Sequence, residues 1–352
     1  MQKYNVVICA NNSPVEHLPW IDSCRKHSDS IDFTVIDLTD DDWQDQLRNG
    51  KIDICLLRPP GRTELLKRLY DERVLIISSI IDLPIYPSLT EILLYENKRF
   101  VRDWLKAMSL PHPETFVFFC KEDAKNFLAD RINWPVVGKT NIGASGNGVQ
   151  IIPDINSAVN YINDAFTKGI STRTGPKLRK GSLFKKVRKV LTQKGFLTRR
   201  LNEYSQVFLN PQKDFVIFQE FIPHTFEWRC VRIGKSFFAH KKLARNNMSS
   251  GTLLKGYDEV PVSLLNFMWE VTERTNLSSV AIDLFETERG YLINEIQCFF
   301  GQSDPYQMLV KGVPGRYIRE HNKWKFEEGM FNTNCSFDLR IEHVISILES
   351  FD

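Results

Sequence analysis

The run Trp134-Pro-Val-Val-Gly-Lys139-Thr-Asn-Ile-Gly143-Ala-Ser-Gly146-Asn-Gly148-Val149 carries a short apolar segment into one lysine and then into a glycine-rich loop. Glycine puts no Cβ in the way and reaches φ/ψ values that other residues avoid, so such a loop can bring backbone N–H groups against phosphate oxygens. Lys139 supplies positive charge beside it. Far downstream stand Asp283 and the triplet Glu295-Ile296-Gln297. Oxygen ligands of this kind hold Mg²⁺ against phosphates. The combination points to a nucleotide-using enzyme, which neither the loop nor the carboxylates would do alone.

Working outward, the chain has 352 residues, more than one ordinary core accommodates, so two or three lobes are expected. It is 42% hydrophobic and 25% charged, and no run approaches the roughly 18 apolar residues of a spanning helix. The start, Met1 to Ala10, reads as a buried strand rather than a signal peptide, because polar Asn11-Asn12 follow at once. Seven cysteines without a C-x-x-C pair argue against a disulfide scaffold and a zinc site, and fit a reducing cytoplasm. From Ala165 to Asn202 there are 12 Lys or Arg and no acid; subtracting them from the net +3 leaves −9 for the rest. The basic charge is therefore local.

The first 90 residues alternate strand-like and helix-like segments: strands over Tyr4–Ala10, Phe33–Leu38, Ile52–Leu57 and Val74–Ser78, with amphipathic stretches between them. That order predicts a parallel α/β layer. Phe100, Trp104, Leu105 and Met108 follow helical spacing over Glu96–Met108. Strands are expected at Thr115–Phe119, Val136–Lys139, Val149–Ile152, Phe215–Glu220, Glu227–Ile233, Phe237–Lys241, Ser279–Glu286 and Tyr291–Ile296. Helices are expected at Glu122–Ala129, Ile155–Phe166 after an Asp154 cap, Ser182–Leu191 in the basic stretch, Val262–Thr275 and Phe337–Ser350.

This order resembles the ATP-grasp superfamily over roughly residues 90 to 300. The resemblance implies an N-terminal parallel α/β lobe (1–90) followed by two α+β subdomains. The smaller would span 91–215 with a basic insertion at 165–202, and the larger 216–352 with the C-terminal helix. It implies ATP with Mg²⁺ or Mn²⁺ as cofactors. Lys98 and Lys139 correspond to the family's phosphate-binding lysines, and Ser145, Gly146 and Gly148 to its phosphate-covering loop. Glu220, Phe221 and Ile222 correspond to the adenine-recognising hinge and Glu227 to the ribose-binding acid. Asp283, Glu295 and Gln297 correspond to the metal ligands, with Gln297 where the family usually has Asn. D-alanine–D-alanine ligases carry Arg two residues before the first metal Asp. This chain has Ala281 there, which points away from that substrate class. The segment Glu227-Trp-Arg-Cys-Val-Arg-Ile-Gly234, with Lys241-Lys242 and Arg245-Asn246-Asn247, is more similar to the ribosomal-protein glutamate ligase branch. By that likeness Arg229, Lys242 and Arg245 are the candidate catalytic residues. Asn294–Pro305, Gly315-Arg-Tyr317, Phe331-Asn332 and Asp338–His343 resemble ATP-grasp proteins encoded with bacterial surface-polysaccharide genes.

The activity implied is an ATP- and Mg²⁺-dependent carboxylate–amine ligase working through an acyl phosphate on a capsule or O-antigen precursor. Its partners would be a small-molecule or glycan carboxylate and an amine acceptor. A homodimer is compatible with this reading. The alternatives are a kinase for a sugar or amide and a non-catalytic nucleotide-binding protein. The basic stretch reads as an insertion that attracts an anionic glycan, a lipid phosphate or a membrane surface; with only Phe184, Phe196 and Tyr204 as aromatic neighbours, nucleic acid ranks last. Asp283 lies in the apolar run Val280–Phe285, where an unpaired carboxylate is costly, so a metal or another cation should accompany it. On this reading Asp283→Asn removes a metal ligand and leaves the fold intact.

Overall fold

The computed structural model describes residues 3–48, 50–131, 133–143, 148–171, 211–245, 248–249, 254–302 and 304–350. Ser145 and Gly146, Asn246-Asn247, the helix expected over 182–191 and most of the basic stretch lie outside them. Two compact units emerge. The first comprises residues 1–60, 65–113 and 222–352, the second 61–64 and 114–221.

The first unit opens with β1 (Tyr4–Ala10), α1 (Leu18–Lys26), β2 (Ile31–Asp37), α2 (Trp43–Leu47), β3 (Ile54–Leu57), α3 (Glu64–Ser79) and β4 (Ile85–Tyr86). The strands form a parallel sheet in the order β2-β1-β3-β4. From Val6 to Ala10 and throughout β3 every residue is buried, the continuous apolar pattern of strands covered on both faces. The strand expected at Val74–Ser78 is instead the second half of α3. Lys67, Tyr70, Val74 and Ile77 form one buried face at helical spacing, and Leu75 is exposed. A short apolar run fits either structure, and here the amphipathic pattern beginning at Glu64 continues through it. The fourth strand is Ile85–Tyr86. Next come α4 (Leu89–Leu94), opened by a Ser88/Glu91 capping box, and α5 (Lys98–Ala107), capped by Asn97.

The second unit contains β5 (Thr115–Phe118), α6 (Lys121–Arg131), β6 (Val136–Lys139), β7 (Val149–Ile152), α7 (Ile155–Thr167) and β8 (Val216–Glu220). Its antiparallel sheet runs β5-β8-β6-β7. Asp154 caps α7 by accepting from Ser157 N at 2.8 Å. Both helices join the core beneath the sheet, through Ala124 and Leu128 and through Ala158, Tyr161 and Ile162. Gly138 is required by this packing: a Cβ there would stand 2.9 Å from Ile152 Cδ1 and from the Tyr161 ring.

The first unit resumes with β9 (Phe226–Ile233), β10 (Ser236–Arg245), β11 (Met248–Ser249), β12 (Lys255–Gly256), α8 (Val262–Arg274), β13 (Ser279–Thr287) and β14 (Gly290–Gln297). It ends with β15 (Leu309–Val310), β16 (Val313–Glu320), β17 (Lys323–Glu328) and α9 (Phe337–Glu349). Nine strands form one sheet, with the path β14-β13-β9-β10-β16-β15 and β11, β12 and β17 on its flanks. The strands at 309–328 are not anticipated by the sequence reading. Trp228, Cys230, Ile282, Leu284, Ile293 and Ile296 share a core cluster with Leu264, Leu265 and Met268 of α8. Side chains alternate across a strand, so residues 229, 283 and 295 point to the opposite face.

Fully buried Glu91 ties α4 to the start of β13. Its Oε1 accepts from Ser278 N and Ser279 N, both at 2.6 Å, and its Oε2 from Ser88 N at 2.8 Å. Glu91→Ala leaves three backbone donors without this acceptor. At about 1–3 kcal/mol for each donor left unpaired, urea unfolding should report a loss of roughly 3 kcal/mol or more.

Candidate active site

The antiparallel registers of the large sheet assemble the charged residues. Asp283 on β13 stands opposite Glu295 on β14 on one side and Arg229 on β9 on the other; Arg229 in turn stands opposite His240 on β10. Glu295, Asp283, Arg229 and His240 thus form a row across four strands. Two residues along on the same face Glu227 stands opposite Lys242. Directly opposed residues have Cβ atoms about 4.5–5.5 Å apart, so Asp283 and Glu295 lie within reach of one ion. A bulge follows: Asp283 pairs with Glu295 but Leu284 pairs with Ile293, leaving Asn294 as the extra residue.

Asp283 is buried and doubly engaged. Arg229 grips it in a fork, Nε to Oδ1 at 2.8 Å and Nη2 to Oδ2 at 2.8 Å. Lys242 Nζ reaches Oδ2 at 2.6 Å and Glu227 Oε2 at 2.7 Å. Arg229, Lys242 and Glu227 are all buried too. Burial by itself raises the Asp283 pKa, but Arg229 and then Lys242 outweigh it and hold the carboxyl well below its usual range. Burial likewise pulls Lys242 down, while Asp283 and Glu227 win and raise it. Protein cations therefore already accompany the carboxylate that the sequence reading required to be accompanied. Glu227 is paired with Lys242, not with Arg229. Its other oxygen accepts from Asn294 Nδ2 at 3.3 Å and lies 3.6 Å from His224 Nε2.

Among the described residues three donors occupy three of the four lone-pair positions of Asp283, which leaves one on Oδ1. With Glu295 across the strand and Gln297 two residues on along the same face, the donors are hard oxygens, the chemistry Mg²⁺ takes. Among the described residues no group of three or more His, Cys, Asp or Glu is arranged to hold a metal.

The other sequence-predicted residues fall as follows. Lys98 begins α5 with its ammonium 4.0 Å from Glu96 Oε2 and its side chain 13% exposed, so it is no ordinary surface lysine. Lys139 ends β6, buried, with its backbone paired to Val149 and Ile217. Thr140 N donates to Gly148 O at 2.8 Å and closes the base of the glycine loop, where Gly148 takes φ +80°. Gln212 anchors the start of the loop: its Oε1 accepts from Ile142 N at 2.9 Å and its Nε2 donates to Ile142 O at 2.8 Å. Glu220 ends β8 and accepts from Glu114 N at 3.2 Å. Phe221 and Ile222 follow, and Ile222 packs with Phe285 and Leu292. Arg245 ends β10 with its side chain outside the described part.

Sequence reasoning missed Gln212, because only the fold brings it to the loop. It also set His240 aside. The ring is buried in the charged row, and its Nδ1 has no hydrogen-bond partner among the described residues. Burial first, then Arg229 and Lys255, lower its pKa from 6.5 to about 3 and keep the imidazole neutral.

No family model matches this sequence, and no curated protein matches it. Solved structures do match it in three dimensions. D-alanine–D-alanine ligase from Bacillus anthracis superposes with a TM-score of 0.56 at 12% identity, covering 99% of this chain and 100% of that one. The fold is the ATP-grasp fold. N5-carboxyaminoimidazole ribonucleotide synthetase, solved as its ADP complex, gives 0.53 at 12% identity over 86% of this chain and 72% of that one. The biotin carboxylase domain of Hydrogenobacter thermophilus 2-oxoglutarate carboxylase, solved with MgADP and bicarbonate, gives 0.51 at 13% identity over 87% and 66%. At such identities the likeness carries the ATP-grasp architecture and nothing finer.

The buried pair adds a stability cost to Asp283→Asn, which takes the anion from the Arg229 fork and leaves Lys242 with Glu227 alone; chemical unfolding should show a loss of about 3–5 kcal/mol. A second outcome concerns acid. His240 binds a proton less readily folded than unfolded, so its contribution is complete above pH 6.5 and is lost as pH falls toward about 3. The slope from this one group approaches about 1.4 kcal/mol per pH unit. Unfolding free energies measured across that window should flatten in His240→Asn; an unchanged slope would count against a buried neutral ring.

Proposed function

We propose that this chain is an ATP- and Mg²⁺-dependent ligase that joins a carboxylate to an amine through an acyl phosphate. The observation that carries the reading is the buried Asp283–Arg229–Lys242–Glu227 ion cluster set directly across the sheet from Glu295. Support comes from the fold, which is shared with structures solved with ATP, ADP and MgADP. Bound Mg-ATP would supply the phosphoryl group that activates a carboxylate and the metal charge that offsets the phosphates. In this reading Asp283, Glu295 and Gln297 hold the metal. Lys98, Lys139 and the backbone of the loop carrying Ser145, Gly146 and Gly148 hold phosphates. Glu220, Phe221 and Ile222 face adenine and Glu227 the ribose. Arg229, Lys242 and Arg245 neutralise charge that grows during transfer, and an amine then attacks the acyl carbon and expels phosphate. Catalysis is positioning and electrostatics, with no protein nucleophile.

The substrate reading is finer. The resemblance of Asn294–Pro305 and the segments after it to proteins encoded with surface-polysaccharide genes supports a capsule or O-antigen precursor as the acid or its acceptor. The basic stretch at 165–202 suits an anionic glycan, a lipid phosphate or a membrane surface. Among the described residues no helix is long and apolar enough to cross a membrane.

Mass spectrometry of reactions containing ATP, Mg²⁺, uronic acids and a panel of amino acids should reveal an amide, ADP and phosphate; a stable product phosphorylated on a sugar hydroxyl or an amide in their place would indicate a kinase. Glu295→Gln should cut Mg-dependent turnover by about 10²-fold or more with an unchanged melting temperature. Turnover close to wild type in that variant would remove the metal assignment.

A further inference from the structure

The parallel sheet of the first unit holds a second polar site. Its order is β2-β1-β3-β4, so the chain leaves β1 toward one side, to β2, and leaves β3 toward the other, to β4. Open α/β sheets form a crevice outside the carboxyl ends of the two strands where the order turns in this way. Here those ends are Ala10 and Leu57. Asn11 ties together the two loops that follow: its Nδ2 donates to Arg58 O at 2.6 Å and to Glu16 Oε2 at 2.8 Å.

Each loop carries a buried polar group with no hydrogen-bond partner among the described residues, Nε and Nη1 of Arg58 in one and Oγ of Ser13 in the other. The Arg58 guanidinium lies over the Phe299 ring, 4.5 Å from its centroid, and Arg340 lies over the same ring at 5.0 Å. A ring face offsets part of a cation's charge but leaves its in-plane N–H groups unsatisfied. Arginine stays charged, so proton loss cannot relieve it. A charged donor buried without an acceptor is costly, and an oxyanion is the ligand that removes the cost. The loop Asn11-Asn-Ser-Pro14 contains none of the glycines that let a pyrophosphate approach the backbone, which favours a single small anionic group over a dinucleotide.

We propose that this crevice binds an oxyanion of the ligase's acid substrate, with Arg58 supplying the charge and Ser13 a hydroxyl donor. Naming the ligand as the acid substrate rests on the ligase reading; the anion site rests on the two orphaned groups. The shared chemistry is a carboxylate or a phosphate carried on the substrate as an anchoring group. Phe299 stands two residues beyond Gln297, which puts the anchor beside the strand proposed to hold the metal.

The test is calorimetric titration of the full chain, in Mg²⁺ and a non-hydrolysable ATP analogue, with glucuronate in one arm and inorganic phosphate in the other. Wild type should bind one of the two, and the arm that responds identifies the group. Arg58→Gln should weaken that binding by about tenfold or more, Arg58→Lys should restore part of it, and Ser13→Ala should weaken it less. Affinity for the nucleotide analogue should not change in any variant. If wild type binds neither probe, or if Arg58→Gln binds as tightly as wild type, the site is refuted. Should Arg58→Gln fail to fold, Arg58→Lys and Ser13→Ala decide by the same criterion. Anion binding that is lost in Arg58→Gln while the nucleotide analogue binds no variant and not wild type would support this site and sink the ligase reading instead.

Discussion

The forked ion pair between Arg229 and Asp283, with Lys242 shared between Asp283 and Glu227, sets what the large sheet can do. Its residues come from three neighbouring strands, so the registers of β9, β10 and β13 must all be right for it to form. A slip of one residue would send each charge to the face packed against α8. Removing Asp283 leaves the Arg229 fork without its acceptor, and removing Arg229 leaves Asp283 on Lys242 alone, so neither loss is neutral. The sheet therefore carries a rigid, preorganised set of charges before any ligand arrives, which is the property electrostatic catalysis needs.

Phe299 plays a comparable part on the apolar side. It meets Trp20 of α1 edge-on, Tyr95 before α5 and Phe337 of α9, with centroids 5.7–6.3 Å away. Arg340 of α9 reaches past it to donate to Cys298 O at 2.9 Å and to Ser279 Oγ at 3.2 Å. The end of β14, the start of β13, the C-terminal helix and the parallel layer are thereby fastened at one point. Within the first unit, the proposed anion crevice and the proposed metal strand share that fastening.

What could be read in the sequence was local. The apolar runs of β1 and β3, the Asp154 cap and the helical spacing through Trp104 and Leu105 are set by neighbours in the chain, and the structure has them. Asp283 and Glu295 stand out as oxygen ligands and are paired by the resemblance to the ATP-grasp family, since Asp283 sits in a continuous apolar run whose pattern marks no face. The identity of the cations beside Asp283 was not legible, because Arg229 and Lys242 are 54 and 41 residues away and only strand register brings them in. The same holds for Gln212 against Ile142. His240 looked like any histidine in an apolar strand. Arg58, before two prolines, looked like a loop residue. Val74–Ser78 failed for a different reason: a run of branched apolar residues suits a buried strand or a buried helix face equally.

The extra residue at 294 sets the sidedness of β14. Glu295 and Ile293 are two apart and in an unbroken strand would share a face. Here Glu295 stands with Asp283, while Ile293 sits in the core with Leu284. One inserted amide thus inverts the sidedness of the outer half of the hairpin relative to its inner half. Losing a single codon there would restore an unbroken ladder in which Glu295 still opposes Asp283 and Ile293 still opposes Leu284, so the core side chains would keep their face and the loss would fall on the Asn294 amide that donates to Glu227.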